Sequence, residues 1–161
     1  MGTRKKAADD RYRDVARNRR AFHEYEITDR VEAGLVLEGS EVKGLREGGA
    51  SIADAYVQIR GGEAWLVGAR ISDYENAGYG GHDPGRTRKL LLHRREIERL
   101  ASALAERGLS LIPLRLYFKD GRAKIELGLG RGKTLYDKRR TIADRDARRE
   151  AERAIKAARR R

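Results

Sequence analysis

The chain has 161 residues, the size of one domain, with 37 Lys or Arg against 25 Asp or Glu and a net charge of +12. The absence of cysteine excludes a disulfide framework, thiolate metal sites, iron–sulfur ligation and a cysteine nucleophile. No apolar run approaches the roughly 20 residues that span a bilayer, and Gly2-Thr3-Arg4-Lys5-Lys6 leads into charge instead of a signal segment, so a cytoplasmic protein is expected.

Charge sorts the chain into three parts. Residues 1–20 hold 8 basic and 3 acidic side chains, residues 131–161 hold 13 and 5, and the 110 residues between hold 16 and 17. The expected plan is a basic N-terminal arm (1–17), a body (18–130) long enough to bury a core, and a basic tail (131–161). Basic arms suit a polyphosphate chain, because each neutralised phosphate releases condensed counterions. They lack the Trp, Phe and Leu face that inserts beneath lipid headgroups, which points to nucleic acid over membrane.

In chain order, Tyr25 to Leu37 reads as a long strand bent at Gly34. A short helix starts at Ser40, with Val42 and Leu45 three apart, and closes at Gly48-Gly49. Ala55–Arg60 and Glu63–Ile71 are strands joined by the Gly61-Gly62 turn. Residues 73–88, with four glycines and a proline, predict a long loop. His93 to Arg107 carries Ile97, Leu100, Ala101 and Leu104 at helical spacing and stops at Gly108. Ser110–Phe118 and Arg122–Leu129 alternate around Lys119-Asp120-Gly121 as a second hairpin, with Pro113 at an edge or bulge. Such a series predicts a mainly β fold, a closed antiparallel barrel of the oligonucleotide-binding type with inserted helices; an open sheet with a packed helix is the alternative. From Thr141 and Asp144, spaced as a cap, the tail repeats Ala143, Ala147, Ala151, Ala154 and Ala158. So thin an apolar stripe predicts a helix that is partly disordered alone and orders on a polyanion.

Gly128-Leu-Gly-Arg-Gly-Lys-Thr imitates a nucleotide-binding loop, but Leu127 stands where its first glycine belongs, so it reads as a flexible exit from the last strand. His23, His82 and His93 are far apart and lack clustered partners, which argues against a metal site. His82-Asp83 could serve an RNA-processing enzyme as a general acid or base, against the simpler reading of a turn or phosphate contact. Arg86-Thr87-Arg88-Lys89 runs into Leu90-Leu91-Leu92, placing cations beside an apolar run; Leu91 fits the core better than a splayed base. Tyr25, Tyr74, Tyr79 and Tyr136 are candidates to stack on unpaired bases, whereas Tyr117 and Tyr56 are assigned to packing. Glu32 and Glu41 read either as surface salt bridges or as acceptors for base amino groups.

Asn18-Arg-Arg-Ala-Phe-His-Glu-Tyr, Glu32-Ala-Gly-Leu-Val-Leu-Glu-Gly-Ser-Glu-Val-Lys-Gly-Leu-Arg, Asp83-Pro-Gly-Arg-Thr-Arg-Lys-Leu-Leu-Leu-His and Gly130-Arg-Gly-Lys-Thr-Leu-Tyr-Asp-Lys-Arg together resemble the SsrA-binding protein (small protein B) family, from Asn18 to the C-terminus. That resemblance implies a six-stranded barrel and an adaptor, without cofactor, metal or catalytic residue, that binds the tRNA-like domain of transfer-messenger RNA as a monomer in a 1:1 complex. It delivers that RNA to stalled ribosomes for trans-translation. The resemblance places RNA contacts on Asn18, His23, Glu32, Lys43, Arg46, Arg88, Lys89, Leu91 and His93. It also implies a tail, with Gly132, Lys133, Tyr136, Asp137, Lys138, Arg139 and Arg140, that probes the decoding centre and the empty mRNA channel along small-subunit rRNA. The family usually has Ser where this chain has Gly44, a mild departure that touches helix propensity more than function. A structural ribosomal protein and a general RNA chaperone are the remaining alternatives.

Overall fold

The computed structural model describes residues 12–72, 82–106 and 108–159. Two turns set its framework. At Gly61-Gly62 (φ +61° and +74°) and at Asp120-Gly121 (φ +51° and +79°) both central residues adopt positive φ, the backbone that matches strand twist in a two-residue hairpin. The first joins β4 (Tyr56–Arg60) to β5 (Glu63–Val67), and the second joins β8 (Leu109–Lys119) to β9 (Arg122–Gly132). The other strands are β1 (Tyr12–Arg17), β2 (Tyr25–Leu35), β3 (Ala50–Ser51), β6 (Arg70–Ile71) and β7 (Arg88–Leu91). Four helices lie among the described residues: α1 (Ala21–Glu24), α2 (Gly39–Arg46), α3 (Arg94–Leu104) and α4 (Leu135–Arg159).

The protein is mainly β. Seven strands form one antiparallel sheet in the order β1-β8-β4-β5-β7-β2-β9, with β8 also pairing with β9, and β3 and β6 form a separate pair. The core gathers Leu45 of α2 and Leu100 of α3 with inward residues of the strands, among them Val57, Leu66, Leu90, Leu111, Leu116, Ile125 and Leu127. β8 divides one of its edges between two neighbours, meeting β4 at Leu111 and β1 from Arg115 to Lys119. Pro113 lies between those stretches, beside a register shift against β9. Proline has no N–H to give a ladder, so the seam and bulge are where this strand can hold it.

Several expectations change. The strand β1 begins at Tyr12, so the last residues assigned to the N-terminal arm belong to the sheet, where Val15 and Ala16 pack on the core. The strand predicted over Glu63–Ile71 breaks at Gly68 (φ +82°), and Arg70–Ile71 pairs with β3 instead. Helix α2 is capped by Glu38, not Ser40: Glu38 and Glu41 exchange side-chain-to-backbone hydrogen bonds in a capping box. Helix α3 ends at Leu104, four residues before left-handed Gly108. Helix α4 starts at Leu135, which puts Thr141 inside it and not at its cap. Residues 73–81 of the predicted loop, with Tyr74 and Tyr79, and Arg107 lie outside the described residues.

The glycine-rich stretch read as a flexible exit is instead the packed end of β9. A Cβ on Gly128 would stand 2.9 Å from a methyl of Leu114, and one on Gly130 would stand 2.8 Å from the Glu26 carbonyl oxygen. Gly44 is equally constrained, since a Cβ there would lie 2.2 Å from the Ser72 carbonyl oxygen. Its departure from the family's Ser therefore concerns packing of α2 on the chain beyond β6, more than helix propensity. Gly44→Ser is expected to destabilise the fold by about 1–3 kcal/mol, because overpacking outweighs the helix-propensity gain of under 1 kcal/mol. An unchanged urea midpoint would contradict this.

Candidate nucleic-acid interface

The register of β2 brings distant residues to one place. Gly34 pairs with Leu91 of β7 on one side and with Lys124 of β9 on the other. The resulting groove, about 400 Å3, is lined by Glu32, Gly34, Leu91, Leu92, His93, Glu96 and Lys124. Glu32, Leu91 and His93, three of the residues singled out from sequence, thus share one surface. Alternation along β7 explains Leu91: Arg88 and Leu90 face inward, and Leu91 points out, 54 % exposed, contrary to its expected place in the core. His93 is exposed at the N-cap of α3, its Nε2 4.0 Å from Glu96. Lys124 was missed, because nothing in the sequence states the register between β2 and β9.

Glu32 is fixed from behind. The Tyr117 hydroxyl donates to its Oε2, and Lys119 Nζ lies 3.4 Å from its Oε1. The Tyr117 hydrogen bond, helped by Lys119, outweighs partial burial and holds the Glu32 carboxyl below the usual carboxylate range. Burial, then Glu32 itself, pushes the Tyr117 hydroxyl well above its ordinary value. Tyr117 is buried as expected and lies under Arg115, whose guanidinium is 4.3 Å from the ring centre. Glu32 also faces Glu126 across the β2–β9 pair, a like-charge placement offset by Arg30, 3.4 Å from Glu126. The groove therefore presents an ionised acceptor, an apolar edge and the cation of Lys124. Such a set suits unpaired bases, whose amino groups cations cannot satisfy.

The other expected contacts lie elsewhere. Arg88 is fully buried and all five of its N–H groups are used: Nε on Glu41, Nη1 on the carbonyls of Ala69 (3.0 Å) and Arg86 (2.9 Å), Nη2 on those of Pro84 (3.1 Å) and Asp83 (3.5 Å). No surface remains for RNA, so its role as a contact is corrected to a structural one. Glu41, equally buried, is neither a surface pair nor a base acceptor; it receives Arg86, Arg88 and the Glu38 N–H. His82 is buried too. Its Nε2 donates to the Ile71 carbonyl at 2.7 Å, which leaves Nδ1 to accept from Ser40 Oγ at 3.0 Å. Both ring nitrogens are engaged inside the fold, so the catalytic reading of His82 with Asp83 has no geometric support.

Asn18 is also buried. Its N–H and side-chain amide donate to the carbonyls of Leu114 (2.9 Å) and Pro113 (3.0 Å), at the seam where proline has no N–H to give. His23 is half-buried on α1. Lys43 and Arg46 are exposed one turn apart on α2, and Lys89 reaches Glu63 at 3.0 Å with both side chains half-buried. Tyr56, assigned to packing, is half exposed. At the tail's origin Gly132 pairs with Tyr25, and Lys133 bonds the α1 end through its N–H to Glu24 O (2.8 Å) and its Nζ to Phe22 O (2.9 Å). Lys138 is half-buried and Arg139 and Arg140 exposed on α4; the side chains of Tyr136 and Asp137 lie outside the described ones. Among the described residues no group of His, Asp or Glu could hold a metal ion, and no helix is long and apolar enough to cross a membrane.

Comparison with known proteins gives one answer. The family model described as SmpB protein matches residues 15–157. An SsrA-binding protein of Streptomyces avermitilis is 53 % identical over 99 % of this chain and 90 % of its own. One from Anaeromyxobacter sp. (strain K) is 51 % identical over 97 % of this chain and 96 % of its own. A chain from the solved structure "tmRNA-SmpB: a journey to the center of the bacterial ribosome" superposes with a TM-score of 0.63 at 45 % identity, covering 74 % of this chain and 84 % of that one. On the strength of this full-length similarity, the chain belongs to the SmpB family of SsrA-binding proteins.

Proposed function

We propose that this protein is a cytoplasmic, non-enzymatic RNA adaptor. It binds the tRNA-like domain of transfer-messenger RNA and brings it to stalled ribosomes for trans-translation. The observation that carries this reading is the convergence of Glu32, Leu91 and His93, joined by Lys124, in one groove of a chain that is about half identical to SsrA-binding proteins. The pairing series β8-β4-β5-β7-β2-β9, returning to β8, supports reading the sheet as a closed barrel of the oligonucleotide-binding type. On that barrel Lys43, Arg46 and Lys89 supply phosphate contacts, and Asn18 and His23 belong to a second face near the tail.

The tail carries the other half of the function. From Gly132 and Lys133 through Tyr136, Asp137, Lys138, Arg139 and Arg140 it enters the decoding centre, and α4 lies along the vacant mRNA path, its exposed arginines facing rRNA. Disordered without that partner, it gains order there. Truncation after Thr134 leaves the Lys133 anchor in place. It is expected to change affinity for the tRNA-like RNA by less than about threefold, under ~1 kcal/mol, while abolishing peptide tagging on stalled ribosomes. Equal loss of both activities would refute this division of labour.

A further inference from the structure

A second concavity, about 550 Å3, lies between α4 and the sheet. Six arginines line it: Arg17, Arg19, Arg30 and Arg115 from the body, and Arg145 and Arg149, one turn apart on α4. Two carboxylates answer them. Asp14 pairs with Arg17 and lies 3.4 Å from Arg115, and Glu126 lies 3.4 Å from Arg30 and 3.9 Å from Arg115. Among the described residues, six cations against two anions leave four charges unmet in one recess. Arg145 and Arg149 have no hydrogen bond or ion pair among the described residues, Arg19 likewise, and the buried Nε of Arg115 has no partner.

Cations gathered around a concave, partly apolar wall focus a positive potential, and an anion that fits relieves their repulsion. The guanidinium fork matches phosphate oxygens in particular. The volume exceeds what a lone phosphate fills and falls in the range of small-molecule sites. At the apolar side stand Leu114 and Phe22, the latter 40 % exposed with Arg30 5.2 Å from its ring centre, a platform on which a base can stack.

We propose that this cleft binds one phosphate-bearing nucleotide unit, which bridges Arg145 and Arg149 of the tail helix to Arg19 and Arg115 of the body and so latches α4 onto the sheet. The ligand meets all these groups only when the helix is docked, so it shifts the population toward the docked state, and its departure releases the tail. The nucleotide has two sources, a strand of RNA or a free nucleoside triphosphate. The cleft is a different surface from the groove of Glu32 and Leu91, so the two stand or fall separately.

The absence of native cysteine permits a direct test on the full-length protein, spin-labelled at Gln58→Cys and Ala154→Cys, both exposed positions. Short single-stranded RNA or a nucleoside triphosphate is expected to narrow the interlabel distance distribution, and inorganic phosphate at equal concentration is not. Whichever probe acts identifies the source. Arg145→Ala with Arg149→Ala should weaken that probe's binding about tenfold or more, as for two charge-assisted contacts, and abolish the narrowing. Arg148→Ala with Arg153→Ala removes equal charge from the same helix outside the cleft and should cost no more than about threefold. Equal losses in the two pairs, or no narrowing with either nucleotide probe, would overturn the latch. Binding of the tRNA-like RNA measured on the same preparation separates this failure from failure of the adaptor reading.

Discussion

Replacing Glu41 by alanine is expected to lower stability by about 3–5 kcal/mol, the cost of removing one partner of a buried ion pair and stranding the other. Arg88 would keep its four carbonyl contacts but lose the single anion that balances it in a site without water access. Arg86 would lose its partner as well. For a chain of this length the corresponding fall in Tm is about 6–20 °C, readable by circular dichroism. A loss under ~1 kcal/mol would show that the pair is dispensable.

The same pair predicts a pH dependence. Burial works to raise the Glu41 carboxyl, but the Glu38 N–H and the guanidiniums of Arg86 and Arg88 outweigh it and hold the group below its ordinary value of 4.5. A carboxyl lowered by folding contributes stability that is complete above the unfolded value and is lost as pH falls through the lower folded value. The stability difference between the parent protein and Glu41→Ala should therefore be full at neutral pH and shrink as the solution is acidified below about pH 4. A difference that grows on acidification would reverse the sign of this assignment.

Leu91→Asp is expected to weaken binding of the tRNA-like RNA by about 10- to 100-fold at fixed salt, with the thermal midpoint nearly unchanged. The side chain stands half in solvent on the outer face of β7, so little of the fold depends on it. Loss of a leucine side chain buried against a base is worth about 1.5–3 kcal/mol, and each 1.4 kcal/mol is a factor of ten in affinity. The carboxylate also sets a second negative charge beside Glu32, against phosphates. Fluorescence anisotropy with thermal melts on the same samples measures both quantities. Unchanged affinity would remove the groove from the RNA interface.

The parts of the fold that local chemistry specifies were readable from the sequence, and those set by long-range pairing were not. Gly61-Gly62 and Asp120-Gly121 announce their hairpins because positive φ at two successive positions is a local demand. The strand Tyr12–Arg17 is hidden because its arginines make it look like a solvated arm, while its place depends on Arg115–Lys119 a hundred residues away. The site divides in the same way. Composition and motif resemblance point to Glu32, Leu91 and His93, but only the β2–β7 and β2–β9 registers reveal that they share a groove with Lys124. Arg88 misleads for a related reason. In Arg86-Thr87-Arg88-Lys89 the charges look equivalent until the two-residue period of β7 turns Arg88 inward and leaves Lys89 at the surface.

The divided edge of β8 bears on how the molecule comes into being. Tyr12–Arg17, the outer side of β4 and the long flank of β2 all take their partners from the segment Leu109–Gly132. During synthesis those partners emerge last, so the earlier strands wait with open flanks until that final hairpin arrives. Closure then joins segments far apart along the chain, which places folding toward the slow, millisecond-to-second end for small domains. The stretch most sensitive to premature termination is thus the one on which three earlier strands, β1, β2 and β4, depend for an edge partner.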